Sequence, residues 1–84
     1  MNYYVYFLRC KDNSLYCGYT NNLEKRLNEH NYSNLGAKYT RQKRPVHLVY
    51  YETFTNKSDA LKREIEIKKL NKKVKESLVM GFAG

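Results

Sequence analysis

The sequence contains no tryptophan, a single proline, four glycines and two cysteines in 84 residues. It also lacks the run of ~20 consecutive apolar residues that a membrane-spanning helix needs. Four scattered glycines supply no glycine-rich phosphate loop, and neither a nucleophile elbow nor a flavin motif is present. Cys10 and Cys17 have no secretory context, so reduced thiols are expected. Together with His30 and His47 they show no Cys-x2-Cys type pairing, which leaves zinc without a ligand set. The first residues, Met1-Asn2-Tyr3-Tyr4-Val5, lack the basic, apolar, small-residue order of a signal peptide, and a cytoplasmic protein is expected. Acidic residues are scarce as well, 8 against 16 Lys+Arg, for a formal charge of +8. A chain this short holds one domain and one core. The expected domain covers residues 1–80, with 81–84 as a frayed tail.

What remains is basic and aromatic. The charge points to an anionic partner, and nucleic acid is the commonest; DNA is expected ahead of RNA, a choice the charge itself does not make. Nine tyrosines and three phenylalanines give rings that mostly carry a hydroxyl; most suit strands, and exposed ones can stack on bases. A domain of this size buries too little to enclose a large cavity, so an active site is expected as a shallow surface groove.

The chain reads strand, strand, helix, loop, strand, helix, helix. Tyr3 to Cys10 and Leu15 to Tyr19 form a hairpin around Lys11-Asp12-Asn13-Ser14. Thr20 or Asn21 caps a helix to about His30, with Glu24 at capping-box spacing from Asn21. Asn31 to Pro45 reads as a long loop with one helical turn at most, of the kind that is usually functional. Val46 to Phe54 is apolar on both faces and reads as a central strand. Ser58 caps a helix from about Asp59 to Leu70, and Asn71 a final one from Lys72 to about Val79. The fold class is α+β: a small, three-stranded, mainly antiparallel sheet flanked by helices, β-β-α-β-α-α.

Three features place polar groups where apolar ones are expected. Arg26 and His30, four apart, lie on the side of the first helix near Leu23 and Leu27. The bland account has Arg26 snorkelling over the core rim and His30 capping the helix C-terminus as a cation. On the second helix, Glu64 and Lys68 fall inside the ~160° arc of Ala60, Leu61, Ile65 and Ile67, computed at ~100° per residue. A Glu–Lys pair explains that on a surface; a site carboxylate or metal ligand explains it on a core face. In the hairpin, a three-residue loop Asp12-Asn13-Ser14 puts Tyr6, Cys10, Tyr16 and Gly18 on one face, with Asn13 or Ser14 left-handed. A two-residue turn puts Tyr6 and Tyr16 on opposite faces. Gly18 leaves room for close approach beside the tyrosines.

With these residues the chain resembles the GIY-YIG nuclease superfamily over about Tyr3 to Val79. It is most similar to the small single-domain bacterial branch, long filed as an uncharacterised family. Tyr4-Val5-Tyr6 and Tyr16-Cys17-Gly18 correspond to the two tyrosine motifs, Arg26 to the catalytic arginine, and His30 to the position four residues on. Glu64 corresponds to the metal-binding glutamate. Gly36-Ala37-Lys38-Tyr39-Thr40-Arg41 with Arg44-Pro45 matches the small bacterial branch. Tyr4 replaces the first motif's glycine, and Tyr19 stands where some members carry a basic residue. Asn71 is too close to Glu64 for the asparagine many active members have.

The resemblance implies a metal-dependent endonuclease-type domain. One divalent ion, Mg²⁺ or Mn²⁺, sits on Glu64 with waters and is weakly held without substrate. Arg26 contacts the scissile phosphate, and His30 and Lys38 add hydrogen bonds to it. Tyr6 or Tyr16 activates water, although a free phenol, with a pKa of ~10, is a poor base unless nearby cations favour the phenolate. Lys38, Tyr39, Arg41, Lys43 and Arg44 bind nucleic acid, with lysines of the later helices in support. Phosphate contacts carry little sequence information, so selectivity for structure is expected. The expected protein is a monomer with no small-molecule cofactor. A nucleic-acid-binding module with a degenerate site is the alternative, and a protein–protein adaptor a third reading.

Overall fold

The computed structural model describes residues 1–33 and 36–83; Asn34 and Leu35 of the expected loop, and Gly84 of the expected tail, lie outside the described residues. The elements are β1 (Tyr3–Arg9), β2 (Leu15–Thr20), α1 (Leu23–Tyr32), α2 (Lys38–Arg41), β3 (His47–Phe54), α3 (Lys57–Lys68) and α4 (Lys72–Met80). The expected α+β order is therefore present, with the helical turn of the loop realised as α2. Both strand pairings are antiparallel and the sheet order is β2-β1-β3.

The central strand is β1, not the third strand. Val5, Tyr6, Phe7 and Leu8 are each no more than 2% exposed, so β1 is covered on both faces. β3 is an edge strand, and its apolar residues on both sides have a different cause. Phe82 packs edge-on against Tyr50 and Tyr51, with ring centroids 5.3 and 5.2 Å away. Phe82 thus anchors residues the sequence places in a loose end.

Each sheet face carries its own core. Val5, Phe7, Cys17 and Tyr50 pack with Ala60 and Ile67 of α3. On the opposite face Tyr6, Leu8, Cys10 and Val46 pack with Leu23 and Leu27 of α1. The two thiols, both free, lie on opposite faces, as the strand alternation requires. Arg9 donates to both carboxylate oxygens of Glu76 at 2.6 Å and fastens α4 to the central strand.

The hairpin loop is Lys11-Asp12-Asn13, one residue earlier than expected. Cys10 N–H donates to Ser14 O and Asn13 N–H to Cys10 O, both at 2.9 Å, and Asn13 has φ 72°. Asp12 fixes this turn by accepting from the Ser14 amide and hydroxyl. The pairing slides by two residues, so Tyr6 faces Gly18 and Leu8 faces Tyr16. A slip of two preserves the faces, and Tyr6, Cys10, Tyr16 and Gly18 remain on one side.

The helix starts differ by one or two residues from expectation. Asn22, not Thr20 or Asn21, caps α1 by accepting from Lys25 N–H, and Asn56, not Ser58, caps α3 by accepting from Asp59 N–H. Asn71 caps α4 as expected. In α3, Ile65 is 56% exposed, so the buried stripe is narrower than the sequence arc. It runs Ala60, Glu64, Ile67 at spacings of four and three, which leaves Glu64 in its centre. No helix among the described residues is long and apolar enough to cross a membrane.

Candidate active site

Tyr6 projects from the central strand into the α1 face and is 2% exposed. Its ring lies over its cross-strand neighbour Gly18. A Cβ at residue 18 would stand 2.5 Å from the Tyr6 hydroxyl and 2.7 Å from the carbon bearing it. The missing side chain thus accommodates Tyr6 itself rather than an incoming backbone. Because ring and strand are both fixed, Gly18→Ala is expected to destabilise the fold by about 1–3 kcal/mol through overpacking. Denaturant unfolding measures this, and a Tyr6→Phe background recovers part of the loss.

His30 closes over Tyr6 from α1. It is fully buried, with Nε2 2.9 Å from the Tyr6 hydroxyl and Nδ1 2.7 Å from Thr40 Oγ1 of α2. Burial, reinforced by Arg26, holds the imidazole down at about 4. His30 is therefore neutral near pH 7 and out of reach of a phosphate, contrary to the expected phosphate contact and to the cationic cap. The helix continues past it to Tyr32. Arg26, one turn back, donates to Glu29 at 2.9 Å, and its positive charge acts on the Tyr6 hydroxyl. Burial raises the Tyr6 pKa above that of a free phenol and outweighs the lowering by Arg26, so the phenolate expected from nearby cations does not form there.

Tyr16 completes this cluster from the edge strand. Its ring stands 5.1 Å from that of His30 and stacks on Tyr39 at 5.9 Å. Unlike Tyr6 it is only half-buried, and its hydroxyl makes no hydrogen bond with a described residue. Tyr39 donates to Ser14 and lies under the Lys43 ammonium, 3.8 Å from the ring centroid. Lys43 also pairs with Asp12 at 2.9 Å. Lys38 and Arg41 are both exposed, and neither pairs with a carboxylate of a described residue.

Arg44 departs from its expected role. Its guanidinium donates to the backbone carbonyls of Glu29, His30 and Ser33, and so satisfies the C-terminal end of α1. Gly36 meets the same turn, where a Cβ would be 2.7 Å from the His30 Cα. Arg44→Ala is expected to cost about 1.5–3 kcal/mol of stability, the range for hydrogen bonds from a charged group. Thermal melts and a salt-titrated binding assay separate this from Lys38→Ala, which is expected to weaken binding and leave the melt unchanged.

Glu64 approaches from the other side of the sheet. It pairs with Lys68 at 3.3 Å, and its side chain is 18% exposed against 53% for Lys68. Its field adds to the burial that pushes the Cys17 thiol up to about 11. It therefore faces the residue between Tyr16 and Gly18, across the edge strand from the tyrosines. Of the sequence-derived site residues, Tyr6, Tyr16, Arg26 and His30 form one connected cluster. Glu64 stands behind β2, beside Cys17 and Lys68. No group of three His, Cys, Asp or Glu side chains stands together among the described residues. A single hard carboxylate beside an exposed lysine fits an ion that keeps most of its water, of the Mg²⁺ kind, and does not fit one needing a protein cage.

Thr40, Glu29 and Gly36 are parts of the site that residue patterns alone do not mark. Thr40 and Gly36 stood in a quoted motif without a role, and Glu29 has the i,i+3 spacing to Arg26 as its one signal. The GIY-YIG catalytic domain family matches residues 2–77. The chain belongs to the GIY-YIG family. It is 58% identical over 76 residues to a UPF0213 protein of Clostridium perfringens, covering 90% of this chain and 81% of that one. A UPF0213 protein of Staphylococcus haemolyticus is 52% identical over 77 residues, covering 92% and 93%. Among solved structures, the UPF0213 protein BH0048 of Bacillus halodurans superposes with a TM-score of 0.61 at 46% identity, covering 95% of this chain and 84% of that one. Protein EF2693 of E. faecalis gives 0.63 at 48% identity, covering 92% and 81%. A GIY-YIG domain is a nuclease-type domain, and its family implies a nucleic-acid substrate.

Proposed function

We propose that this GIY-YIG domain is a metal-dependent endonuclease that hydrolyses phosphodiester bonds in DNA and selects structure rather than sequence. The carrying observation is one cluster that holds both a guanidinium fixed by Glu29, Arg26, and a half-exposed phenol whose hydroxyl bonds to no described residue, Tyr16. Arg26 receives the scissile phosphate with a planar guanidinium whose charge never titrates. Tyr16 orients the attacking water. Tyr6 stays a neutral phenol within reach of the Arg26 charge. Glu64 would hold the divalent ion, which supplies charge relief on the phosphate oxygens when bound. Lys38, Arg41 and the Lys43-capped ring of Tyr39 guide the backbone toward Tyr16, on which Tyr39 is stacked. These contacts address phosphate and base faces, which carry little sequence information.

The test is incubation of branched, single-stranded and nicked DNA with the protein and Mg²⁺ or Mn²⁺, beside Glu64→Ala and Arg26→Ala. Cutting by wild type alone supports the reading; cutting that persists in both variants sinks it. One observation favours the second reading, a binding module with a degenerate site. Arg26 is paired with Glu29 and Glu64 with Lys68, so each functional charge has a partner within the fold. That reading predicts salt-sensitive binding, indifferent to Glu64→Ala, with no turnover in either metal.

A further inference from the structure

The cluster contains a chain of hydrogen bonds whose direction is fixed at its far end. Thr40 Oγ1 lies 2.9 Å from the Ala37 carbonyl oxygen, which can only accept, and 2.7 Å from His30 Nδ1. A hydroxyl has one proton. If Thr40 gives it to Ala37, its oxygen accepts from His30, and the imidazole carries its proton on Nδ1. Nε2 is then a bare lone pair, 2.9 Å from the Tyr6 hydroxyl, and the Tyr6 proton goes there.

The opposite tautomer fails at Tyr6. With the proton on Nε2, His30 donates to the Tyr6 oxygen. The Tyr6 proton then has no acceptor among the described residues, although Tyr6 is 2% exposed and lies over the bare backbone of Gly18. A buried hydroxyl proton left unmade is costly, so both ends of the chain require the same polarity.

We propose that Thr40 is a positioning residue of the active site. It holds His30 in the Nδ1–H tautomer, which directs the Tyr6 proton to His30 Nε2 and leaves the lone pairs of the Tyr6 oxygen to the positive charge of Arg26. The order is Tyr6 O–H to His30 Nε2, His30 Nδ1–H to Thr40 Oγ1, Thr40 O–H to Ala37 O. Burial and the positive charge of Arg26 keep the imidazole neutral, as this chain requires. The short helix α2 is thereby tied, through His30 and Tyr6, to the surroundings in which Arg26 is presented. The consequence for catalysis rests on the function proposed above; the polarity of the chain does not.

Long-range proton–nitrogen correlation spectra of uniformly labelled protein near pH 7 read the His30 tautomer directly, without any activity. The expected wild-type result is a pyrrole-type Nδ1 and a pyridine-type Nε2. Thr40→Ser is expected to keep that pattern, and Thr40→Val, which leaves the Nδ1 proton without its acceptor, to shift the Nδ1 resonance or mix the tautomers. A wild-type Nε2–H pattern overturns the proposal, as does an unchanged His30 spectrum in folded Thr40→Val. Should Thr40→Val fail to fold, the wild-type and Thr40→Ser spectra decide. With a cleavable DNA, Thr40→Val is expected to lower kcat by ~10- to 100-fold, the scale of a misplaced catalytic group, with little change in KM and with recovery in Thr40→Ser. The Nδ1–H pattern in a protein that cuts nothing would sink the nuclease reading and leave the polarity standing.

Discussion

Arg26→Ala is expected to lower the cleavage rate by roughly 10³-fold while the protein still binds DNA, the scale on which a single preorganised donor or arginine contributes to charge stabilisation at a reacting phosphate. The loss is expected in kcat, because the guanidinium is one of many cations for a resting backbone but is fixed by Glu29 beside the tyrosine cluster. Lys38 and Arg41 remain to hold the ground state. Arg26→Lys is expected to recover little, since an ammonium cannot address Glu29 and a phosphate from one plane. Glu64→Ala is expected to abolish metal-stimulated cutting to a similar extent. It also frees Lys68 from its pairing, so binding in that variant is expected to hold or strengthen. Single-turnover assays with saturating enzyme separate the two effects. Equal slowing with weaker binding in both variants would show a general loss of affinity and sink the assignment.

Acid is expected to unfold this protein earlier than its surface charges alone would. His30 sits at about 4 in the folded chain and near 6.5 when unfolded. The unfolded state thus binds more protons between those values, and stability falls as the pH falls. The contribution is fully present above about pH 6.5 and lost progressively toward pH 4. Its full size is on the order of 3 kcal/mol, at 1.36 kcal/mol per unit. The groups facing His30 act in both directions: Arg26 and Arg44 lower its affinity for a proton, and Glu29 raises it. Glu52 and Glu76, whose carboxyls are lowered by Arg63 and Arg9, lose stability in the same direction but at lower pH. Denaturant midpoints between pH 7.5 and 4.5, compared with His30→Gln, isolate the histidine. A wild-type curve parallel to that of His30→Gln would overturn the account. The imidazole resonances of His30 are expected to stay in their neutral positions through pH 6.

Local signals in the sequence read through to the structure where the cause was itself local. The strand periods, the capping asparagine at Asn71 and the left-handed Asn13 followed from residue type and spacing. So did the common face of Tyr6 and Tyr16, because strand alternation survives a two-residue slip in register. Arg26, His30 and Glu64 were legible as polar groups on apolar helix faces, and Glu64 proved to lie at the centre of its stripe once Ile65 turned outward.

What the sequence could not determine was partnership across the fold. The third strand looked central because its residues are apolar on both sides. Only packing shows that β1 takes the middle and that Phe82 covers the β3 edge. Arg44 looked like one more cation in a basic loop, yet its guanidinium ends α1, since the carbonyls it satisfies are brought to it by the turn at Gly36. His30 looked like a phosphate ligand or a cap and became a buried neutral imidazole between Tyr6 and Thr40. The sequence by itself determined the elements, the faces, the excess of positive charge and the family to which the chain belongs, because those depend on residue type and near neighbours. The tertiary structure decided which cations face outward, which tyrosine is uncommitted and which way the buried protons point, because burial and hydrogen-bond partners at those groups come from residues 10 to 24 positions away.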